Sequence, residues 1–543
     1  MTFGRFQIRE PTNEPVLHYA PGSWEREELK KALVELQKTK IDIPLVINGK
    51  EVKTEEKLEI TAPHDHKLVL GTTYLAQKEN IRDAIEGALQ AKEEWMEFNW
   101  DERAAIFLKA ADLLAGPFRM KLNAATMLNI SKNPHQAEID SAAELIDFLR
   151  FNAYFMFQIY NGQPFSPAVA FNRLEYRPLD GFIFAVTPFN FTSIMGNIPT
   201  APAIMGNAVV WKPATSASYV SYQLMKLFQK AGLPDGVINF IPGRGKTIGD
   251  IVLEHPDLGG IHFTGSTDTF DYMWQKVGQN IKKYKQYPRL VGETGGKDFV
   301  FIHKSANLSG VLAALARGAF EYQGQKCSAA SRVYAPKSLW PAIKKCLEKD
   351  TKEMKIGKPD DFSNFINAVI DKKAFTRIAE YIKFAKESPD AEIIIGGKYD
   401  DTKGYFIEPT VILAAKHDFK TMTEEIFGPI LTIYLYDDDK YEETLHLCDQ
   451  STQYALTGSI FAEDRKAIKI ASKILRHAAG NFYINVKPTG AVVNQQPFGG
   501  SRKSGTNDKA GSYLNLIRWV SPRSIKERFY PPQKYHYPFL EEE

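Results

Sequence analysis

Short, uninterrupted apolar runs alternate along the chain with longer stretches of helical spacing, and Gly or Pro fences both. The first set of runs is Gly181–Thr187, Ala208–Lys212, Val237–Ile241 and Gly260–Thr264. Between them Ser218–Ala231 has helical periodicity and is closed by Gly232. Such alternation predicts βαβ units and a parallel sheet. After Glu293 it resumes with Phe299–His303, Val333–Pro336, Glu392–Ile395, Leu431–Tyr436, Gly458–Phe461 and Asn481–Asn485. Upstream, Glu25–Thr39 suits an amphipathic helix, and Ile43–Thr61 suits short strands around the Asn48-Gly49 turn. Helical patterns dominate Asn80–Tyr160 until Pro-containing segments at Asn161–Asn172 break them. The pattern predicts two α/β units meeting near Gly295–Lys297, with a tail returning from about Val486.

Length and charge narrow this picture. A chain of 543 residues exceeds one hydrophobic core. Lys and Arg (68) nearly balance Asp and Glu (65), so no nucleic acid and no membrane is expected as a partner. No apolar run of about 18 residues occurs, and the opening residues lack a basic, then apolar, secretory pattern. Acids early in the chain weigh against a transit peptide, so the expected compartment is the cytoplasm, with the mitochondrial matrix as the alternative. Only Cys327, Cys346 and Cys448 are present, and none forms a CxxC pair. Neither a zinc knuckle nor a disulfide framework is supported, and a reducing compartment fits. The HxH at His64 and His66 has a surface position as its ordinary explanation, and no metal is assigned.

Seven local patterns carry candidate chemistry, each with a plainer explanation. Gly324-Gln-Lys-Cys327 sets a thiol among small residues at an expected helix start, where Lys326 and the helix N-terminus would favour the thiolate; a structural cysteine is the alternative. Gly292-Glu-Thr-Gly-Gly-Lys297 places the Glu293 carboxylate at a strand end, though a Gly-rich turn needs no function. Thr187-Pro-Phe-Asn190 offers an amide donor for an oxyanion, or simply an Asn in a turn. Lys212 ends a strand in Trp211-Lys-Pro213, and Ser266 closes Phe263-Thr-Gly-Ser266, a turn suited to pyrophosphate. Glu424-Glu-Ile-Phe-Gly-Pro429 and Pro497-Phe-Gly-Gly500 read singly as loop punctuation.

Their order is more specific than any one of them. The succession resembles the aldehyde dehydrogenase superfamily from about Leu45 to Gly505. The resemblance implies an α/β fold with a Rossmann-type cofactor domain (1–160 and 180–296), an α/β catalytic domain (297–485) and a β oligomerisation flap with its tail (161–179 and 486–543). It implies NAD as cofactor, Cys327 as nucleophile, Glu293 as base, and Asn190 with the Cys327 N–H as oxyanion hole. Lys212 and Glu425 would hold riboses, Ser266 would lie by the pyrophosphate, and Thr187, Gly265 and Phe427 would line the same cleft. The residues after Lys212 do not distinguish NAD from NADP.

Four stretches, Asn13-Glu-Pro, Ala137–Asn152, Phe320–Ser328 and Pro488–Phe498, are similar to the Δ1-pyrroline-5-carboxylate dehydrogenases. That branch oxidises L-glutamate γ-semialdehyde, and by this resemblance the Gly490 and Ala491 N–H groups and Ser328 would take the substrate carboxylate. Glu144 would face the ammonium, and Phe191 and Phe498 would wall the stem. Read from periodicity alone, Glu144 falls with Asp140 and Asp147 on a solvated helix face. Ala491 stands where some relatives carry Ser. Another carboxylated aldehyde, such as succinic semialdehyde, is the alternative substrate; a non-catalytic binding protein and a cofactor-free cysteine hydrolase are rivals of other classes. The aromatic-rich tail after Trp519 suggests packing on another chain, and the resemblance implies a homodimer or larger homo-oligomer.

Overall fold

The computed structural model describes residues 7–542 of the chain, so the first residues of the opening stretch read for a leader lie outside the described residues. The alternating runs form two seven-stranded sheets. In the first, the order is Arg289–Glu293, Leu258–Thr264, Phe182–Val186, Val209–Lys212, Ile238–Phe240, Leu45–Ile47 and Lys50–Val52. The first five strands are parallel, Leu45–Ile47 runs antiparallel to Ile238–Phe240, and Lys50–Val52 turns back antiparallel to Leu45–Ile47. Asn48 and Gly49, with φ of 50° and 75°, close that hairpin in the left-handed region a tight two-residue turn requires.

The earliest of the five parallel strands, Phe182–Val186, lies in the middle. Its successor Val209–Lys212 pairs on one side and Leu258–Thr264 pairs on the other. The connections at the carboxyl ends of Phe182–Val186 and Leu258–Thr264 therefore diverge and leave a crevice, which is where open α/β sheets bind ligands. Thr187 and Gly265 follow those two strands directly.

The second sheet runs Ala391–Ile395, Thr410–Ala414, Ile430–Tyr436, Ala330–Pro336, Asp298–Ile302, Thr457–Phe461 and Asn481–Ile484, parallel except for its first strand. Four residues, Thr294–Lys297, carry the chain from the end of Arg289–Glu293 to the start of Asp298–Ile302. The carboxyl edge of one sheet is thereby tied to the amino edge of the other. Asp298 accepts the Thr457 N–H at 2.7 Å and pins two neighbouring strand starts together.

The helical patterns over Asn80–Tyr160 form a series of helices, and one departure bears on function. Glu138–Glu144 winds as a π-helix between Pro134–Ala137 and Leu145–Asn161. The wider turn brings its acids against neighbouring elements instead of water. Asp140 and Asp147 are 0% and 3% exposed, which corrects the solvated-face reading. Asp140 accepts the N–H groups of Thr192 and Ser193, both at 2.9 Å, and so caps the helix Thr192–Ile204. Lys132, itself buried, pairs with it at 2.7 Å. Phe171–Pro178 and Val520–Glu527 form a separate two-stranded antiparallel ribbon, followed by the exposed Phe529, Tyr530, Tyr535, Tyr537 and Phe539.

The N-terminal segment is fastened by one buried carboxylate. Glu138 is fully buried and accepts from Leu17 N–H (2.9 Å), Tyr19 Oη (2.7 Å), Asn123 Nδ2 (2.8 Å) and the Arg119 guanidinium. Arg119 also pairs with Glu14 at 2.6 Å and reaches the Pro15 carbonyl at 2.8 Å. Arg119→Met strands a buried charge, which typically costs about 3–5 kcal/mol. The urea midpoint of the variant is expected to fall accordingly; an unchanged midpoint would show that Glu138 is satisfied without Arg119.

Candidate active site

Cys327 does not begin a helix. It lies in a turn between the short helix Glu321–Gly324 and the strand Ala330–Pro336, so no helix dipole acts on the thiol. The turn is held by unusual backbone. Tyr322, Gln323 and Gly324 have φ of 54°, 55° and 63°, a left-handed run that costs about 1–3 kcal/mol for each non-Gly residue and persists only when fastened. The fastening is visible. Gln323 donates to Ala368 O at 2.9 Å and accepts the Asn367 N–H at 3.0 Å, while the Gln325 side chain accepts the Ile370 N–H at 2.9 Å. On the other side, a Cβ at Gly296 would run into the Cys327 carbonyl oxygen.

Lys326 does not serve the thiol as the sequence suggested. Its ammonium pairs at 3.1 Å with Glu321, which also takes Lys487 at 2.9 Å. Burial, and then the carboxyls of Asp298, Glu293 and Glu425, push the Cys327 thiol well above its ordinary range. The resting residue is a thiol, and ionising it requires a base or a compensating positive charge.

Two cavities meet at Cys327, Phe263 and Thr264. The first, about 710 Å³, follows the crevice of the first sheet and is lined by Thr187, Lys212, Gly265, Ser266, Glu425 and Phe427, the six residues expected at a cofactor. The second, about 400 Å³, is lined by Glu144, Phe191, Ser328, Gly490, Ala491 and Phe498, the six expected at a substrate. Asn190 lines the first, and one of its amide N–H groups donates to Gln325 O at 3.1 Å, beside the Cys327 turn. Glu293 lines the second and accepts the Gly500 N–H at 3.2 Å; burial raises its carboxyl well above the usual range.

The first cavity has the donor set a dinucleotide needs. Among the described residues the ammonium of Lys212 has only the Pro213 carbonyl, at 3.0 Å, and burial lowers it to about 8. Ser266 caps the helix Thr267–Asn280, whose N-terminus adjoins the crevice. Glu425 spends one oxygen on the Gly296 N–H at 2.9 Å. A recessed ammonium, a helix N-terminus and a recessed carboxylate match ribose hydroxyls and a diphosphate. Phe427, at φ 58°, packs edge-on to Phe189 with ring centroids 5.8 Å apart.

The second cavity has polar and aromatic lining. Ser193 Oγ donates to Glu144 at 3.0 Å, and burial, then the neighbouring Asp140 charge, raises Glu144 to about 8. Ser328 Oγ lies 2.9 Å from Thr489 Oγ1, and Gly490 has φ 93°, open to glycine alone without strain. The Lys132 ammonium lies 4.0 Å from the Phe191 ring centre and 4.5 Å from that of Tyr322. Sequence reasoning gave no role to Lys132 and set Asp140 and Asp147 on a solvated helix face, whereas all three are buried. It also gave no role to Asn13 and Glu14, which line this cavity from far upstream.

The match to known proteins is extensive. The profile described as the aldehyde dehydrogenase family matches residues 51–520. A Dictyostelium discoideum protein named "Delta-1-pyrroline-5-carboxylate dehydrogenase, mitochondrial" is 52% identical, over 99% of this chain and 97% of its own length. The Homo sapiens protein of the same name is 47% identical over 97% of this chain and 94% of its own. The crystal structure of the Mycobacterium tuberculosis Delta-pyrroline-5-carboxylate dehydrogenase bound with NAD superposes with a TM-score of 0.96 at 50% identity, covering 99% of this chain and all of that one.

The carboxyl-ringed thiol has a measurable consequence. In the ligand-free protein, alkylation of Cys327 by iodoacetamide, followed by peptide mass, is expected to rise about tenfold per pH unit with no plateau by pH ~9. A plateau below pH ~8 would show a thiolate stabilised by a charge other than those described.

Proposed function

The chain belongs to the aldehyde dehydrogenase family, and we propose that it oxidises L-glutamate γ-semialdehyde to L-glutamate with NAD as acceptor. The observation that carries this reading is the pair of cavities meeting at Cys327. One has the donor set for a dinucleotide, and the other has an acid and a backbone nest at separate places for an amino-acid head. The relatives' names support the same substrate.

Cys327 Sγ adds to the aldehyde carbon, and the proton of the thiol passes to a base in the site. The negative charge that develops on the aldehyde oxygen meets the Asn190 amide and the Cys327 N–H. The first cavity, lined by Lys212, Ser266 and Glu425, would hold NAD, which would supply the hydride acceptor for the adduct carbon. A thioester remains on Cys327. Glu293 takes a proton from the water that attacks it, the C–S bond breaks, and the acid leaves with the thiol restored. The raised basicity of Glu293 comes from burial, and its single hydrogen-bond donor, Gly500 N–H, opposes that rise only in part. Gly490 and Ala491 N–H groups with Ser328 receive the α-carboxylate, Glu144 the α-ammonium, and Phe191 and Phe498 the methylene stem.

In this reading residues 1–160 and 180–296 hold the cofactor, and 297–485 supply the thiol. The ribbon of Phe171–Pro178 and Val520–Glu527, with its exposed aromatic tail, supports self-association as a dimer or larger oligomer. The relatives named mitochondrial support the matrix over the cytoplasm, and among the described residues no helix is long and apolar enough to cross a membrane.

NADH formation from glutamate semialdehyde, succinic semialdehyde and pentanal tests the assignment. The first is expected to have the highest kcat/KM, Cys327→Ala to lose at least about a thousandfold, and Asn190→Ala to lose about 10²–10³ in kcat. Faster turnover of succinic semialdehyde would overturn the substrate. The pH dependence has a defined sign. Below about 8 the Glu144 carboxyl is protonated and offers an ammonium no charge; above it, it does. The ratio of the Glu144→Gln KM to the wild-type KM for glutamate semialdehyde is expected to grow with pH up to about 8 and then level, reaching about tenfold. A pH-independent ratio would remove Glu144 from ammonium recognition.

A further inference from the structure

The Asn13-Glu-Pro stretch has no part in the chemistry above, yet it lies against the substrate cavity. Asn13, Glu14 and Val16 form part of the cavity lining. The Asn13 side chain is shared between two walls. Its Nδ2 donates to Asp147 Oδ2 at 2.8 Å and to the Val493 carbonyl at 3.0 Å, and its Oδ1 accepts Gln495 Nε2 at 2.8 Å. The Glu14 N–H takes the other Asp147 oxygen at 2.7 Å. Asn494 Nδ2 donates to Glu10 at 2.9 Å.

Each wall carries one half of the substrate's head. Asp147 lies three residues after Glu144, almost one turn along the helical segment, so the two share a face. Val493 lies two residues after Ala491, in the loop whose N–H groups meet the carboxylate. Among the described residues, no hydrogen bond joins that loop directly to the segment Glu138–Asn161, so Asn13 is the polar link between them. The strap that carries Asn13 is in turn fastened beneath, through Glu14 to Arg119 and Arg150, each at 2.6 Å, and through Leu17 to Glu138.

We infer that Asn13 is a positioning residue for substrate recognition, fixing the spacing between the Glu144 wall and the Gly490–Ala491 loop so that an α-ammonium and an α-carboxylate are met together. The inference rests on the substrate reading given above. Asn13 touches neither the thiol nor the cofactor cleft, so its loss acts on binding of the head and leaves the chemical step alone.

The test compares wild type with Asn13→Ala on glutamate semialdehyde and on pentanal, which has the same carbon count and no amino-acid head. For glutamate semialdehyde the variant's KM is expected to rise about five- to tenfold with kcat within about twofold of wild type. For pentanal kcat/KM is expected to stay within about twofold, which also certifies that the variant is folded. An equal fall for both aldehydes would mark Asn13 as merely structural, and no change for either would leave it without a role; both outcomes overturn the inference. A wild-type enzyme that prefers pentanal or is indifferent fails the substrate reading itself and takes the inference with it. An intact wild-type preference that the variant keeps sinks the inference alone.

Discussion

A side chain at position 296 would occupy the space of the Cys327 carbonyl oxygen, and much of the site follows from that approach. Thr294–Lys297 is the crossing between the two sheets, and it has only four residues to pass from one strand to the next. A crossing so short holds the carboxyl edge of the first sheet against the amino edge of the second. The cofactor crevice opens on the first edge and the thiol turn precedes a strand of the second, so the crossing brings them together. A Cβ at Gly295 would meet the Glu425 carboxylate, and the Gly296 N–H is that carboxylate's donor. The same two glycines thus set how near the thiol and the Glu425 carboxylate stand to the crossing.

Crowding has an electrostatic price. Glu293, Asp298 and Glu425 all bear on Cys327, and each would make a thiolate less favourable. The buried cations nearby are already engaged: Lys326 by Glu321, Lys132 by Asp140, and Lys297 by the Ser331 hydroxyl. The site is therefore built to keep a neutral thiol until ligands change its surroundings. Burial of Glu293 raises its proton affinity in the same environment, so the acid and the thiol compete for protons across a small space. Such groups titrate as a coupled set.

The strands were legible because a segment buried on both faces excludes polar residues from every position. Phe182–Val186 and Val209–Trp211 are buried throughout, and their shortness with Gly or Pro at the ends marks them as strands. The helix Ser218–Ala231 was legible to its last residue because Gly232, at φ 100°, ends it chemically. The family's residues were legible by their order. What stayed hidden depends on local geometry that leaves no periodic trace. Periodicity assumes 3.6 residues per turn, so the π-helix at Glu138–Glu144 misplaced Asp140 and Asp147. The helix start expected at Cys327 failed for a similar reason: small residues suit a tight turn as well as a helix, and the left-handed Tyr322–Gly324 run selects the turn. Contacts across hundreds of positions, such as Asn13 with Val493, have no local signature at all.

In the proposed substrate reading, recognition of the carboxylate does not rest on the hydroxyl that Ala491 lacks. Glu321 sits behind the thiol turn with two lysines on it. Burial alone would raise its carboxyl, yet Lys326 and Lys487 hold it down to about 2, so it is fully charged at neutral pH. Two ammonium groups on one carboxylate leave a net positive charge, and both lysines line the substrate cavity together with Thr489, Gly490 and Ala491. In that reading a carboxylate at the Gly490–Ala491 loop meets a favourable field as well as the proposed N–H donors. A hydroxyl adds one hydrogen bond, whereas a charge in a recessed cavity acts over several ångströms and does not require exact placement. Placement is then left to the backbone loop, and the loop's position relative to Glu144 is a matter of what ties the two walls together.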